Sequence, residues 1–282
     1  MSTASNQHEP FALGIITRLQ DDADAALRRV AAFDLPTCQL TTDDPALYTH
    51  AMADQVRAAA EQHHVAVTTH WAHAPGRRVW NFYEGPLTLG LVPPETRAER
   101  LAALQQAAAF AEWIGAPSLT GHMGFIPEDP NDPRYPGTVD ALSRLAHTCA
   151  DHGIELWFET GQETPTTLLR TFDDIGTDNL GINLDPANLL LYGKANPLDA
   201  VDQFGTLIKG VHAKDGEYPT TGRALGHEQP LGKGRVNFPV LIAKLQALDY
   251  RGAVTIEREI SGPQQAADIR AAIELLNSLT SH

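Results

Sequence analysis

Eight short apolar runs alternate with eight helix-length stretches along this chain. The runs fall at 11–16, 36–40, 64–70, 117–122, 154–159, 179–185, 207–212 and 252–257. The helical stretches fall at roughly 20–33, 45–62, 95–114, 138–152, 164–175, 197–205, 237–248 and 264–279. A helix between two strands returns the chain to the same end of the sheet, so strict alternation makes the strands parallel. The pattern predicts an α/β protein folded as a single-domain (β/α)₈ barrel over 11–282. A polar tail, MSTASNQHEP, precedes it at 1–10.

Local signals support these boundaries. Pro94 opens PPETRAERLAALQQAAAFAEWIG and Gly115 closes it, the expected order of proline inside a helix start and glycine past its end. Thr164-Pro165 starts another helix and Gly176 ends it. Asn237, ahead of Pro239, reads as an N-cap.

Four ligand-type residues close four successive runs: Glu159 in IELWFE, Asp185 in LGINLD, His212 in LIKGVH and Glu257 in GAVTIE. The first two spacings are 26 (185 − 159) and 27 (212 − 185), one βα unit each. The third is 45 (257 − 212), lengthened by a polar, Gly-rich segment, 213–235. In a parallel barrel all four ends open at one mouth, the C-terminal face. One carboxylate at a strand end is usually a salt-bridge partner. Three with an imidazole repel one another and lose hydration unless a cation sits among them. The donor set suits one divalent metal ion: Mn²⁺ first, with Mg²⁺, Co²⁺ or Zn²⁺ as alternatives.

Strand alternation extends the site. With Glu257 inward, Thr255 and Ala253 face the lumen; with Asp185 inward, so do Asn183 and Gly181. The same phase turns His122, Thr120 and Ser118 inward on the fourth strand, and His70, Thr68 and Ala66 on the third. His70 and His122 are thus candidates for substrate contact, against the ordinary alternative of a core histidine. Lys214, two residues past His212, faces the same mouth, against a surface ion pair with Asp215.

Two long loops stand out. Residues 71–93 carry Trp71, Trp80, Phe82 and Tyr83, suited to walling a sugar ring or to packing over the rim. Residues 213–235 carry Tyr218, Arg223, His227 and Lys233, with His227 a further candidate for substrate contact. The run PLGKGR (230–235) has glycines and cations but not the GxxxxGK[ST] phosphate loop.

Composition removes several function classes. A net charge of −14 disfavours nucleic acid and anionic membranes as partners. No apolar run reaches the roughly 18 residues of a spanning helix. The polar N-terminus lacks a signal core. Cys38 and Cys149 make no disulfide framework and no CxxC pair. A soluble protein of the reducing cytoplasm is the default expectation, with a homo-oligomer left open.

The motifs FETGQET (158–164), GINLDPANLLLYGK (181–194), VHAKD (211–215), PLGKGRVNFP (230–239) and TIERE (255–259) resemble the sugar phosphate isomerase/epimerase family. This is the xylose-isomerase-like TIM barrel superfamily. LGLVPPETRAERL (89–101) and GHMGFIPEDP (121–130) look like its upstream segments. The resemblance implies a divalent metal held by Glu159, Asp185, His212 and Glu257. It also implies proton transfer by Glu159 and Glu257 on either side of a substrate carbon. One departure is Asp185-Pro-Ala-Asn188, where the ketose 3-epimerase branch has Asp-x-x-His; Asn188 is therefore the substrate-contact candidate at that position.

The reading that follows is a metal-dependent sugar isomerase or epimerase. It would abstract a proton beside the carbonyl of a small carbohydrate, a keto-sugar or an inosose. A metal-dependent lyase eliminating from 3-keto-glycosides is the alternative, since it shares the first step. A phosphodiesterase like the endonuclease IV branch would need more histidine ligands and a basic face. A purely sugar-binding barrel would not need both glutamates.

Overall fold

The computed structural model describes residues 11–280; the polar tail expected at 1–10 lies outside them. Eight parallel strands close a barrel: β1 (Leu13–Arg18), β2 (Thr37–Thr42), β3 (Ala66–Ala72), β4 (Ser118–Gly121), β5 (Glu155–Glu159), β6 (Leu180–Leu184), β7 (Ile208–Ala213) and β10 (Val254–Ile256). Around the barrel they run β1-β10-β7-β6-β5-β4-β3-β2. Two short strands, β8 (Asp215–Gly216) and β9 (Glu228–Gln229), pair antiparallel in the long loop after β7. Among the described residues no helix is long and apolar enough to cross a membrane.

The helices match the sequence pattern to within a few residues, because their caps are local. Thr164 accepts a hydrogen bond from the Thr167 amide at the start of Pro165–Ile175, and Gly176 ends it with φ of 70°. Asn237 departs from expectation. It stands at the cap position of Phe238–Ala247, but with φ of 62° and no side-chain cap. It turns the chain instead of satisfying an amide. Pro186–Leu191, a short helix after β6, was not legible as one because its apolar run merges with the strand.

The core lies between barrel and helices. Ile15, Leu40, Leu119, Leu156, Ile182, Val211 and Val254 point outward and are buried. Phe158 meets Phe172 of the surrounding helix edge-to-face at 4.9 Å. Each buried side chain of this size contributes about 1.5–3 kcal/mol by leaving water. The lumen is polar instead. Gln39, Thr69, Thr120, Asn183, His212 and Thr255 are all buried there, and the Thr69 and Thr120 hydroxyls lie 2.7 Å apart.

One strand corrects the sequence phase. β2 pairs with β3 as Cys38 with Val67 and then Gln39 with Thr69, skipping Thr68. This bulge reverses the alternation of β3. Thr69 and Trp71 therefore face the lumen, and His70 faces the helices. Its Nδ1 is 3.2 Å from the Ala107 carbonyl, and its ring packs between Tyr48 and Phe110. His70 is a core histidine, not a substrate contact.

Burial lowers the His70 pKa to about 4, against the hydrogen bond to Ala107. Between about 4 and the unfolded value near 6.5, the unfolded chain binds the extra proton. The stability from a neutral His70 is therefore complete above about pH 6.5 and lost as pH falls toward 4, amounting to about 3 kcal/mol. Urea midpoints measured from pH 7 to pH 4.5 should fall for the wild type and fall less steeply for His70→Leu. Equal slopes would mean that the His70 ring is not buried neutral.

Candidate metal centre

Glu159 ends β5, Asp185 follows β6, His212 lies in β7 and Glu257 follows β10. One ligand atom from each lies within 4.8 Å of the others. His212 Nδ1 is 2.9 Å from Glu257 Oε2, 3.3 Å from Glu159 Oε1 and 3.7 Å from Asp185 Oδ2. None of these approaches is aligned as a hydrogen bond. His212 Nδ1, Asp185 Oδ2 and Glu257 Oε2 are all buried without a hydrogen-bond partner. Orphaned lone pairs converging on one point fit a divalent cation.

Neighbours fix the second atom of Glu159, Asp185 and His212. Asp185 Oδ1 accepts from the Asn188 amide at 2.8 Å and caps the helix Pro186–Leu191, which leaves Oδ2 for the centre. Glu159 Oε2 accepts from the Trp71 indole N–H, and its Oε1 from Asn188 Nδ2 at 3.4 Å. His212 Nε2 turns away from the centre toward Gln39 and Asn183.

Electrostatics follow from this crowding. Burial raises the Glu159 carboxyl, but His122 and His212 outweigh it and hold it below the ordinary range. Burial acts the same way on Glu257, and Lys214 and His212 outweigh it. Burial disfavours charge on His212, yet the Glu159 and Glu257 carboxylates hold its imidazole well above the ordinary value.

Lys214 is buried beside the centre. Its Nζ lies 2.7 Å from Glu259 Oε1, 3.4 Å from Glu257 Oε2, 3.5 Å from Asp185 Oδ2 and 3.2 Å from Asn188 Oδ1. It makes no pair with Asp215. That carboxylate accepts four backbone amides instead, from Gly216, Gly232, Gly234 and Val236, at 2.8–3.1 Å. A Cβ at Gly234 would lie 2.2 Å from Asp215 Oδ1, so only glycine fits. The amides of the PLGKGR run are thus committed to a residue of the same chain and form no phosphate cradle.

A cavity of about 360 Å³ opens above the centre. Trp71 from the end of β3 and His73 and Trp80 from the first long loop line it, with His122, Asn188, Tyr192, Leu225 and Glu257. Both long loops reach this mouth. His122 sits at its floor, with Nε2 3.4 Å from Glu159 Oε1 and Nδ1 3.0 Å from Gln162 Oε1. His227 does not line the cavity. It is exposed, and its carbonyl accepts from the Glu217 amide beside the β8–β9 pair. Gln39 and Glu259 escaped sequence reasoning as site residues, and Trp71, expected on the aromatic wall, also reaches Glu159. An amide in the middle of an inward strand position was the available signal for Gln39.

The family described as xylose isomerase-like TIM barrel matches residues 27–279. The crystal structure of a xylose isomerase domain protein from Planctomyces limnophilus superposes with a TM-score of 0.91 at 34% identity, covering 96% of this chain and 98% of that one. An L-ribulose 3-epimerase from Methylomonas sp. (strain DH-1) is 29% identical over 143 residues, 44% of this chain and 45% of the relative. An inosose dehydratase from Geobacillus kaustophilus (strain HTA426) is 26% identical over 143 residues, 45% of this chain and 46% of the relative. The chain spans about half the length of the curated relatives it matches. The barrel closure, the extent of the family match and the near-complete superposition lead to one assignment: the chain belongs to the xylose isomerase-like TIM barrel family.

Proposed function

We propose that this protein is a divalent-metal-dependent isomerase or epimerase of a small sugar or sugar-like ketone. The observation that carries the reading is the pair Glu159 and Glu257. They come from β5 and β10, approach one centre from different sides, and lie under an open cavity. A likeness to an L-ribulose 3-epimerase supports the substrate class. Glu159, Asp185, His212 and Glu257 would hold the metal, with Mn²⁺ the first candidate for this oxygen-rich set. When bound, the metal would neutralise charge developing on the substrate's oxygens.

The chain's own residues supply the proton chemistry. Glu159 and Glu257 are held ionised, the state a base needs. One takes the proton from the carbon beside the carbonyl, and the C–H electron pair moves toward the carbonyl oxygen. For an epimer, the other carboxyl takes a proton from solvent as substrate binds and delivers it to the opposite face of the same carbon, and the base's proton goes back to solvent. For an isomer, the base delivers its own proton to the neighbouring carbon while the hydroxyl proton passes to the former carbonyl oxygen. The Trp71 indole and Asn188 amide hold the Glu159 carboxylate in place. His122 and Asn188 line the cavity where substrate hydroxyls would reach them, Lys214 lies buried behind Asn188, and the aromatic loop would exclude water over the ring.

A lyase is the second reading, favoured by the likeness to an inosose dehydratase. The first proton abstraction is the same. Loss of a leaving group from the next carbon then replaces return of the proton. Solvent deuterium separates the two, since epimerisation leaves label in an unchanged formula and elimination releases the leaving group.

Two outcomes are expected. Saturating Mn²⁺ should raise the melting temperature and EDTA should reverse the rise. Binding at 100 times the Kd contributes about 2.7 kcal/mol, or roughly 5–10 °C for a domain of this size. A temperature unmoved by Mn²⁺, Mg²⁺, Co²⁺ and Zn²⁺ would remove the metal from the reading. A screen of ketoses and inososes in D₂O should identify a substrate. Metal-loaded Glu257→Gln should then lose turnover and deuterium exchange about 10²–10⁴-fold. Near-normal exchange in that variant would make Glu257 a ligand only.

A further inference from the structure

We infer that Gln39 is a positioning residue that sets the ring tautomer of His212, and that Asn183 opposes it. The inference rests on the metal reading above. A ligand nitrogen needs its lone pair, so Nδ1 must be bare and the ring proton must sit on Nε2. Nδ1 already faces the three carboxylates without a hydrogen bond. The outcome therefore turns on what surrounds Nε2.

Two amides meet it in the barrel lumen, both buried. Gln39 Oε1, from β2, lies 2.8 Å from Nε2. Asn183 Nδ2, from β6, lies 2.9 Å from the same atom. An amide oxygen accepts, so Gln39 favours a proton on Nε2. An amide nitrogen donates, so Asn183 favours a lone pair there and a proton on Nδ1, inside the metal site. The amides are tied to each other, because Gln39 Nε2 donates to Asn183 Oδ1 at 2.9 Å. That bond turns the Gln39 oxygen toward the imidazole.

The three contacts cannot all be satisfied at once by a neutral ring and two amides. Whichever atom Nε2 favours, one neighbour is mismatched. Space for the arrangement is built in at Gly210, where a Cβ would lie 2.3 Å from Asn183 Oδ1. Gln39 is thus the metal-favouring member of an opposed pair, and Asn183 tempers it.

The opposition gives two variants with effects of opposite sign. Gln39→Leu removes the acceptor and leaves Asn183 Nδ2 as the sole partner of Nε2. Asn183→Asp keeps the shape and replaces the opposing donor with an acceptor, so Gln39 Nε2 keeps its partner and both oxygens facing His212 Nε2 favour a proton there. Mn²⁺ affinity would be read by titration calorimetry on the folded, full-length proteins. Gln39→Leu should bind about 10–100-fold more weakly, the usual cost of losing such a partner, and Asn183→Asp at least as tightly as wild type. A merely structural role would weaken both. Gln39→Leu binding like wild type, or both variants losing affinity alike, overturns the inference while leaving the metal reading intact. Wild-type protein that binds no Mn²⁺ overturns the metal reading and the inference with it. Should either variant fail to fold, ¹⁵N NMR of Zn²⁺-loaded wild type decides: a proton on His212 Nε2 supports the assignment and a proton on Nδ1 refutes it.

Discussion

The structure turns on the crowding of three carboxylates and one imidazole at the mouth of the barrel. Two unit charges of like sign 4.8 Å apart repel by about 3 kcal/mol at an effective dielectric near 20. The three carboxylates, Glu159 and Asp185 buried and Glu257 partly exposed to the cavity, carry three such pairs. Lys214 and a charged His212 offset part of this, and Glu259 takes up part of the ammonium. A divalent cation meets all four donors at once. Glu159 and Asp185 cannot turn away from it freely, because their second atoms are held by Trp71, Asn188 and the cap of Pro186–Leu191.

The barrel makes this crowding affordable by separating stability from chemistry. Its outward faces and helices carry the apolar burial, and its lumen carries threonines, amides and the ligand set. Parallel strands end at one level, so donors far apart in sequence meet without any loop having to find them. The loops then need only cover the mouth. The one after β7 is pinned by a single carboxylate, Asp215, which gathers amides from 216 to 236. A loop closed on its own side chain keeps its shape while Leu225 reaches over the cavity.

The sequence was most legible where periodicity governs. Eight βα units, the helix limits and the convergence of Glu159, Asp185, His212 and Glu257 follow from spacing and parallel topology. It was least legible where one residue changes phase. The bulge at Thr68 in β3 has no local signature, and it exchanged His70 for Trp71 at the lumen. His227 lies on a loop, where alternation gives no direction. Asp215 looked like a partner for Lys214 because it is adjacent in sequence. Three of its four amide partners lie 17 to 21 residues away, a distance that pattern cannot read.

The same logic explains the amide at position 188. Asn188 donates through Nδ2 to Glu159 and accepts through Oδ1 from Lys214, so it links a base candidate to a buried ammonium. A neutral imidazole also offers one donor and one acceptor, but a protonated one offers only donors. Beside an ammonium, a protonated ring would leave Lys214 without this acceptor and add a cation. An amide carries no charge at any pH, so the link from Lys214 to Glu159 does not depend on a proton. Asn188 and Lys214 are in this sense one feature. Where the resembling branch has Asp-x-x-His, this chain sets an amide oxygen on the Lys214 ammonium and an amide N–H on the Glu159 carboxylate.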